Sequence, residues 1–354
     1  MVGGPGSGRY DAFFLVSFGG PEGPEDVLPF LENVTRGRGV PRERLLEVAR
    51  TYQRFGGVSP INAQNRALAA AIGEELDRAG IRLPVYLGNR HWHPMIRDTV
   101  ARMAADGVRR ALAFVTSAYS SHSGCRAYLE DIERARSELG ATAPRIEKIR
   151  AFWNHPGFIE QMAENVRSAL EAVPAELRAG ARLVFTGHSI PTALAETSDY
   201  VAQLRDAAGL VAERARPGSG FDLVFQSRSG PPTQPWLEPD VGDHLEALAR
   251  AGTRQAVVVP IGFVSDHMEV IYDLDTLARE RAAAAGIGMV RAATVGTAPR
   301  FVEMIRELVS ERTDPNAPRR SLGGLGPRSD ACPTDCCPAP RRPGSGVATP
   351  DAAR

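Results

Sequence analysis

The stretch Ala12-Phe13-Phe14-Leu15-Val16-Ser17-Phe18-Gly19-Gly20-Pro21 decides how the rest of the chain is read. Its apolar residues run together without the polar alternation of a half-exposed strand, which is the pattern of a strand covered on both faces. The Gly-Gly-Pro that follows ends the strand in a compact turn and lets backbone come close to whatever lies above it. This is not a dinucleotide fingerprint, because the third glycine and the acidic partner about 20 residues further on are missing.

Working outward, runs of the same kind recur at Pro84–Leu87, Ala111–Thr116, Leu183–Thr186, Leu223–Gln226 and Ala256–Ile261. Between them the spacing turns helical. Leu68, Ile72 and Leu76 fall four apart with Glu74, Glu75, Asp77 and Arg78 turned to solvent, and Val241, Leu245 and Leu248 repeat the pattern behind Pro239. Strands alternating with helices predict right-handed βαβ units, hence an α/β chain with doubly wound parallel sheets. Two such domains are expected, over residues 9–151 and 152–296. A helix follows over 297–312, its part Phe301–Ser310 packing back on the first domain. Residues 1–8 are Gly/Pro/Ser-rich and expected to be flexible. Residues 313–354 hold eight prolines and five glycines, and predict a flexible tail unless their cysteines are tied down.

Charge narrows the partners. Lys+Arg 42 balances Asp+Glu 42, so no global field draws nucleic acid or anionic lipid, and anions must be met by local arginines. No apolar run approaches the roughly 18 residues that would span a bilayer, and Met1–Arg9 lacks the basic and apolar regions of a signal peptide. A cytoplasmic protein is expected. Four cysteines, Cys125 alone and Cys332, Cys336 and Cys337 close together, suit metal ligation better than a disulfide framework.

In doubly wound sheets ligands bind beyond the carboxyl ends of the strands, so those segments carry the functional reading. Thr35-Arg36-Gly37-Arg38-Gly39 and Arg54-Phe55-Gly56-Gly57-Val58-Ser59-Pro60 set arginines beside glycines, a pattern that is commonly just solvated but offers guanidinium forks to carboxylates. Thr186-Gly187-His188-Ser189 places an imidazole beyond a buried strand, where it can accept a proton or bind a metal. In Ser265-Asp266-His267-Met268-Glu269-Val270-Ile271-Tyr272-Asp273, a helix would put Glu269 and Asp273 on one face, a repulsive pairing unless a cation or protons pass between them. His267 would point elsewhere and reads as structural. No Gly-x-Ser-x-Gly elbow, Walker loop or His-Glu-x-x-His helix is present.

Taken together, FLVSFGGPEGPEDV, FLENVTRGRGVP, FGGVSPIN, TSAYSSHSGCRAYLEDI, LVFTGHSIP, FQSRSGPPTQPWLEPDV and PIGFVSDHMEVIYDLD resemble the ferrochelatase family in order and spacing over roughly residues 11–277. The resemblance implies two flavodoxin-like domains of chelatase type with a porphyrin cleft between them. It implies that His188 and Glu269 handle Fe²⁺ as substrate, with Asp273 next on the carboxylate face. Phe18, Ser59, Tyr128 and His91 would meet the porphyrin, and Arg36 and Arg38 its propionates. An imidazole and a glutamate are thus expected to face each other across a tetrapyrrole-sized gap.

Two departures stand out: Phe18 occupies a position where some relatives carry an iron-ligating Tyr, and Leu277 replaces a third carboxylate of the ladder. The cysteine group resembles the branch, actinobacterial members included, that binds a 2Fe–2S cluster; Cys125, Cys332, Cys336 and Cys337 supply the four thiolates it needs, although zinc accepts the same set. Within that branch coproporphyrin III is the expected substrate, haem-pathway enzymes being conceivable partners. Protoporphyrin IX, a cobalt or nickel chelatase, and a non-catalytic porphyrin or haem carrier are the competing readings.

Overall fold

The computed structural model describes residues 9–230, 233–333 and 335–339. Its eight named strands form two separate, wholly parallel sheets. β1 (Ala12–Ser17), β2 (Val85–Asn89), β3 (Arg110–Val115) and β4 (Arg145–Lys148) lie in the order β2-β1-β3-β4. β5 (Arg182–His188), β6 (Phe221–Gln226), β7 (Gln255–Val259) and β8 (Gly288–Arg291) lie in the order β6-β5-β7-β8. Every residue of β1 and of β7 is buried, as continuous apolar runs between helical layers require.

The six expected strands are all present, with ends moved by a residue or two. β7 stops at Val259 because Pro260 has no N–H to continue the ladder. β5 runs on to His188, which pairs with Gln226 in β6, so the imidazole sits on the last residue of the strand rather than in a loop beyond it. β4 and β8 were not legible as strands. Arg-Ile-Glu-Lys and Gly-Met-Val-Arg are short, charged edge segments, held by pairing with β3 and β7 rather than by apolar burial of their own.

The helix Ile61–Arg78 buries Leu68, Ile72 and Leu76, and Val241–Arg250 buries Val241 and Leu245, as their spacing predicts. The second of these is capped by Asp240, whose Oδ1 accepts the Gly242 amide at 2.8 Å. The helix Pro299–Thr313 packs against both Ile61–Arg78 of the first domain and Pro156–Glu171 of the second. One apolar cluster therefore runs through both domains, from Phe13, Leu15 and Phe114 through Phe152 and Phe158 to Phe301, Ile305 and Leu308. Arg150, on the crossover between the sheets, forms a fully buried pair with Glu311 of that last helix at 2.7 and 2.8 Å.

The tail differs from the expectation of a floppy segment over its described part. Arg150 donates to the Arg320 carbonyl at 2.8 Å, buried Asn154 donates to the carbonyls of Leu322 and Gly326, and the Leu322 amide returns to the Asn154 carbonyl at 2.8 Å. Arg328 reaches Asp199 at 2.6 Å. The anchors are polar groups on the crossover, which tail composition cannot reveal. Residues 340–354 and 1–8 lie outside the described residues, and so do the flexibilities expected there.

Candidate active site

β1 and β5 are the corresponding strands of the two sheets, and the candidate residues gather at their carboxyl ends. On the first domain the turn after β1 needs its glycines: a Cβ on Gly19, whose φ is +82°, would stand 2.8 Å from Asn89 Cβ, and one on Gly20 would stand 2.7 Å from Ser59 Cβ. Ser59 is buried, its amide on the Pro21 carbonyl at 2.8 Å. The Phe18 ring lies 4.5 Å from that of His91 and 6.3 Å from Phe30, which also touches Tyr52 and Trp92. These form an aromatic wall. Burial, with Arg90 and Arg38 close by, pushes His91 down to about 3, so its imidazole stays neutral. The basic loop joins the wall through Asn33, which accepts from Arg36 at 2.6 Å and donates to the His91 carbonyl at 3.2 Å. Tyr128 stands apart. It is buried in the first-domain core with the Arg90 guanidinium 4.8 Å over its ring, and burial raises its phenol to about 12.

The second domain supplies the ionisable groups. His188 Nε2 lies 3.5 Å from Glu269 Oε2, while Nδ1 is 2.5 Å from the Ser189 carbonyl. That contact fixes the tautomer with Nδ1–H donating, which leaves Nε2 for the carboxylate. The two groups therefore stand side by side on one domain. They do not oppose each other across a gap, contrary to expectation, because the helical segment after β7 folds back alongside the end of β5. Gln226 fastens that segment, accepting from Thr186 Oγ1 at 2.8 Å and donating to the Glu269 carbonyl at 2.8 Å.

His267 caps the segment, its Nδ1 accepting the Glu269 amide at 3.2 Å, which is the structural role its spacing suggests. Beyond one α-turn the backbone is π-helical over Ile271–Ala278, a geometry that recurs at functional sites. There the Ser227 hydroxyl donates to Asp273 Oδ2.

Burial alone would raise Glu269, but the His188 imidazole outweighs it, with help from His267, and holds the carboxyl at about 2. About half of the Glu269 side chain is still exposed. Burial opposes protonation of His188, yet Glu269, the Ser189 carbonyl and Asp273 together raise its pKa. Asp273 moves the other way from its neighbour: burial, reinforced by the Glu269 charge, overrides the Ser227 hydroxyl and raises it to about 7. One carboxylate is firmly ionised and the other changes charge near neutrality, an arrangement that separates cation binding from proton transfer.

The two walls meet. Phe55 packs edge-on against Tyr272 at 6.1 Å, the Asp266 amide donates to Gln64 at 2.9 Å, and burial with the nearby Glu269 and Asp273 charges raises the Tyr52 phenol. Tyr52, Gln226 and Ser227 escaped the sequence reading. The last two directly follow or end a buried strand, a signal that was available; Tyr52 sits within a helix and gives none.

A second cluster begins in the segment that follows β3. Cys125 belongs to a π-helical turn, His122–Arg126, with the free thiol of Cys332 nearby; Cys336 and Cys337 bring their Sγ atoms to 3.6 Å. The hydrogen bond from Cys332 leads the causes that lower Cys125 to about 6, against burial and assisted by Lys148 and Arg328; burial raises Cys337 to about 12. Four thiols in two close pairs match the donor set of an iron–sulfur cluster, although among the described residues no three His, Cys, Asp or Glu side chains already stand in metal-holding geometry.

Two parallel four-stranded sheets, with an imidazole at the end of β5 and carboxylates on the helical segment after β7, make a two-domain α/β protein of chelatase-like fold. SirB from Bacillus subtilis with Fe³⁺ shares the fold, with a TM-score of 0.52 at 15% identity, covering 86% of this chain and 96% of that one. A family model described as Ferrochelatase matches residues 10–313, and the chain belongs to the ferrochelatase family. It is 56% identical over 346 residues to a coproporphyrin III ferrochelatase of Nocardia farcinica, covering 94% of this chain and 98% of the relative. It is 54% identical over 336 residues to a ferrochelatase of Rhodopirellula baltica, covering 94% and 95% respectively.

Proposed function

We propose that the protein inserts Fe²⁺ into coproporphyrin III to give the iron porphyrin, as a lyase of haem biosynthesis acting in the cytoplasm. The observation that carries this reading is the His188–Glu269 contact beside Asp273, facing an aromatic wall. Insertion requires the loss of two pyrrole N–H protons and of the water around Fe²⁺. His188 Nε2 and Glu269 receive the metal, its charge replacing the proton that the pair shares. Asp273, with a pKa near 7, accepts one pyrrole proton and releases it to solvent, and the His188–Glu269 pair takes the second as Fe²⁺ leaves it for the ring.

Phe18 and His91, with Ser59 behind the turn after β1, shape the wall that holds the macrocycle. Phe18 has no oxygen with which to ligate iron. Arg36 and Arg38 meet propionates at the rim. Strain in a saddled ring, which exposes nitrogen lone pairs, is offset by these contacts. Support for cytoplasmic action comes from the described residues, none of whose helices is long and apolar enough to cross a membrane.

Cys125, Cys332, Cys336 and Cys337 would hold a 2Fe–2S cluster, which supplies a one-electron centre and a cross-link between tail and first domain. Domain limits of 9–151 and 152–296 fit the crossover, which leaves β4 and enters the helix Pro156–Glu171.

The test is an anaerobic incubation with Fe²⁺ and either coproporphyrin III or protoporphyrin IX, followed by the visible bands of the porphyrin. Faster metallation of coproporphyrin III is expected. Tight porphyrin binding with no band shift for either substrate would leave a carrier instead. A brown protein whose visible bands vanish in Cys336→Ser supports the cluster, and a colourless protein prepared without air removes it.

A further inference from the structure

Among the described residues only two non-glycine residues take positive φ, Ser227 at 63° and Cys337 at 51°. A left-handed backbone is unfavourable for a residue with a Cβ and persists where its surroundings impose it. Ser227 directly follows β6, whose last residue Gln226 is clamped between Thr186 and the Glu269 carbonyl. The turned backbone carries the Ser227 hydroxyl away from the strand direction and onto Asp273 Oδ2, 46 positions further along the chain. A serine in a turn ordinarily bonds its own neighbouring backbone. This one reaches a side chain of the π-helical segment instead.

We infer that Ser227 is a positioning residue for metal insertion: its hydroxyl fixes one oxygen of Asp273 so that the other is presented to a pyrrole N–H of the bound porphyrin. The inference rests on the proton-accepting role proposed for Asp273. Ser227 itself touches neither metal nor macrocycle. Its contribution belongs to the reacting geometry, so it is seen in kcat and not in porphyrin binding.

Ser227→Gly deletes the hydroxyl while relieving the left-handed backbone, so the fold is retained or stabilised. Expected are an unchanged or higher Tm, a kcat lowered about tenfold, and a KM for coproporphyrin III within about twofold of the parent. Ser227→Ala, which keeps the strained backbone, should show the same kcat loss. Asp273→Asn should be slow, and adding Ser227→Gly to it should slow it no further, since the hydroxyl acts only through that carboxylate. A full-speed Ser227→Gly beside a slow Asp273→Asn overturns the inference alone, as do losses that multiply in the double variant. A full-speed Asp273→Asn overturns the role of Asp273 and the inference with it.

Discussion

Both sheets run second, first, third, fourth strand, and both interpose a π-helical turn between the third strand and the helix that follows it, His122–Arg126 in one domain and Ile271–Ala278 in the other. The first strand of one ends at Ser17 and is followed by Phe18-Gly19, and that of the other ends at His188 and is followed by Ser189-Ile190. The π-turn of one carries Cys125, and that of the other carries Asp273. A repeated scaffold thus offers two similar positions twice, and a few side chains give one domain an aromatic wall and a buried thiol and the other an imidazole beside carboxylates. Fold alone does not divide the labour; the residues at strand ends do.

The comparison breaks most readily at the ends of β1 and β5. His188→Ala is expected to lower kcat about a thousandfold in the metallation assay, because the other imidazole near Glu269, that of His267, is committed to capping the segment. Phe18→Leu, one residue past the corresponding place in the first domain, should cost less than about tenfold, mostly in KM, since it trims a wall and removes no ionisable group. Similar losses in the two variants would erase the asymmetry.

The seam between the domains comes next. Glu311→Leu leaves Arg150 buried without its carboxylate and should destabilise the protein by about 3 kcal/mol, read as a lowered midpoint in denaturant. Glu246→Leu, which breaks an exposed contact to Arg281 in the second domain, should leave the midpoint nearly unchanged.

A smaller effect sharpens the acid–base side. Asp273 titrates near 7 in the folded protein against an ordinary 3.8. Between those values the folded chain keeps a proton that the unfolded chain has lost. Stability therefore falls as pH rises through this window, and what is lost stays lost above it. Asp273→Asn should flatten that slope and, at pH 8, unfold later than the parent by on the order of 1 kcal/mol. A parent slope that survives the substitution would assign the window to another group. The smallest effect is expected from Asn154→Ala, which keeps the backbone carbonyl that accepts the Leu322 amide but removes the side-chain donors to the Leu322 and Gly326 carbonyls, and so should speed amide exchange at Leu322 by roughly tenfold.

Much of this was readable before any coordinates. Buried parallel strands announce themselves as apolar runs, and the Leu68, Ile72 and Leu76 spacing fixed a helix face. The edge strands did not, because Arg145–Lys148 and Gly288–Arg291 owe their conformation to neighbours far along the chain. His188, Glu269 and Asp273 were found from their place after buried runs, yet their mutual arrangement was not. Four-residue spacing describes an α-helix, and the chain adopts a π-helix there. The tail was misjudged over residues 314–330 because its partners, Arg150 and Asn154, sit on the crossover and look like ordinary polar residues in sequence.

The helix Pro299–Thr313, wedged against both domains, sets a limit on how the protein can move. A clam-like opening would pull Phe301 and Ile305 away from partners in both halves and expose a continuous oily seam to water. The jaws are in effect welded at the back. Any adjustment around a ligand would then fall to the elements in front, where the helices Val27–Val34 and Arg42–Arg54 share a small apolar cluster of their own, apart from the seam behind.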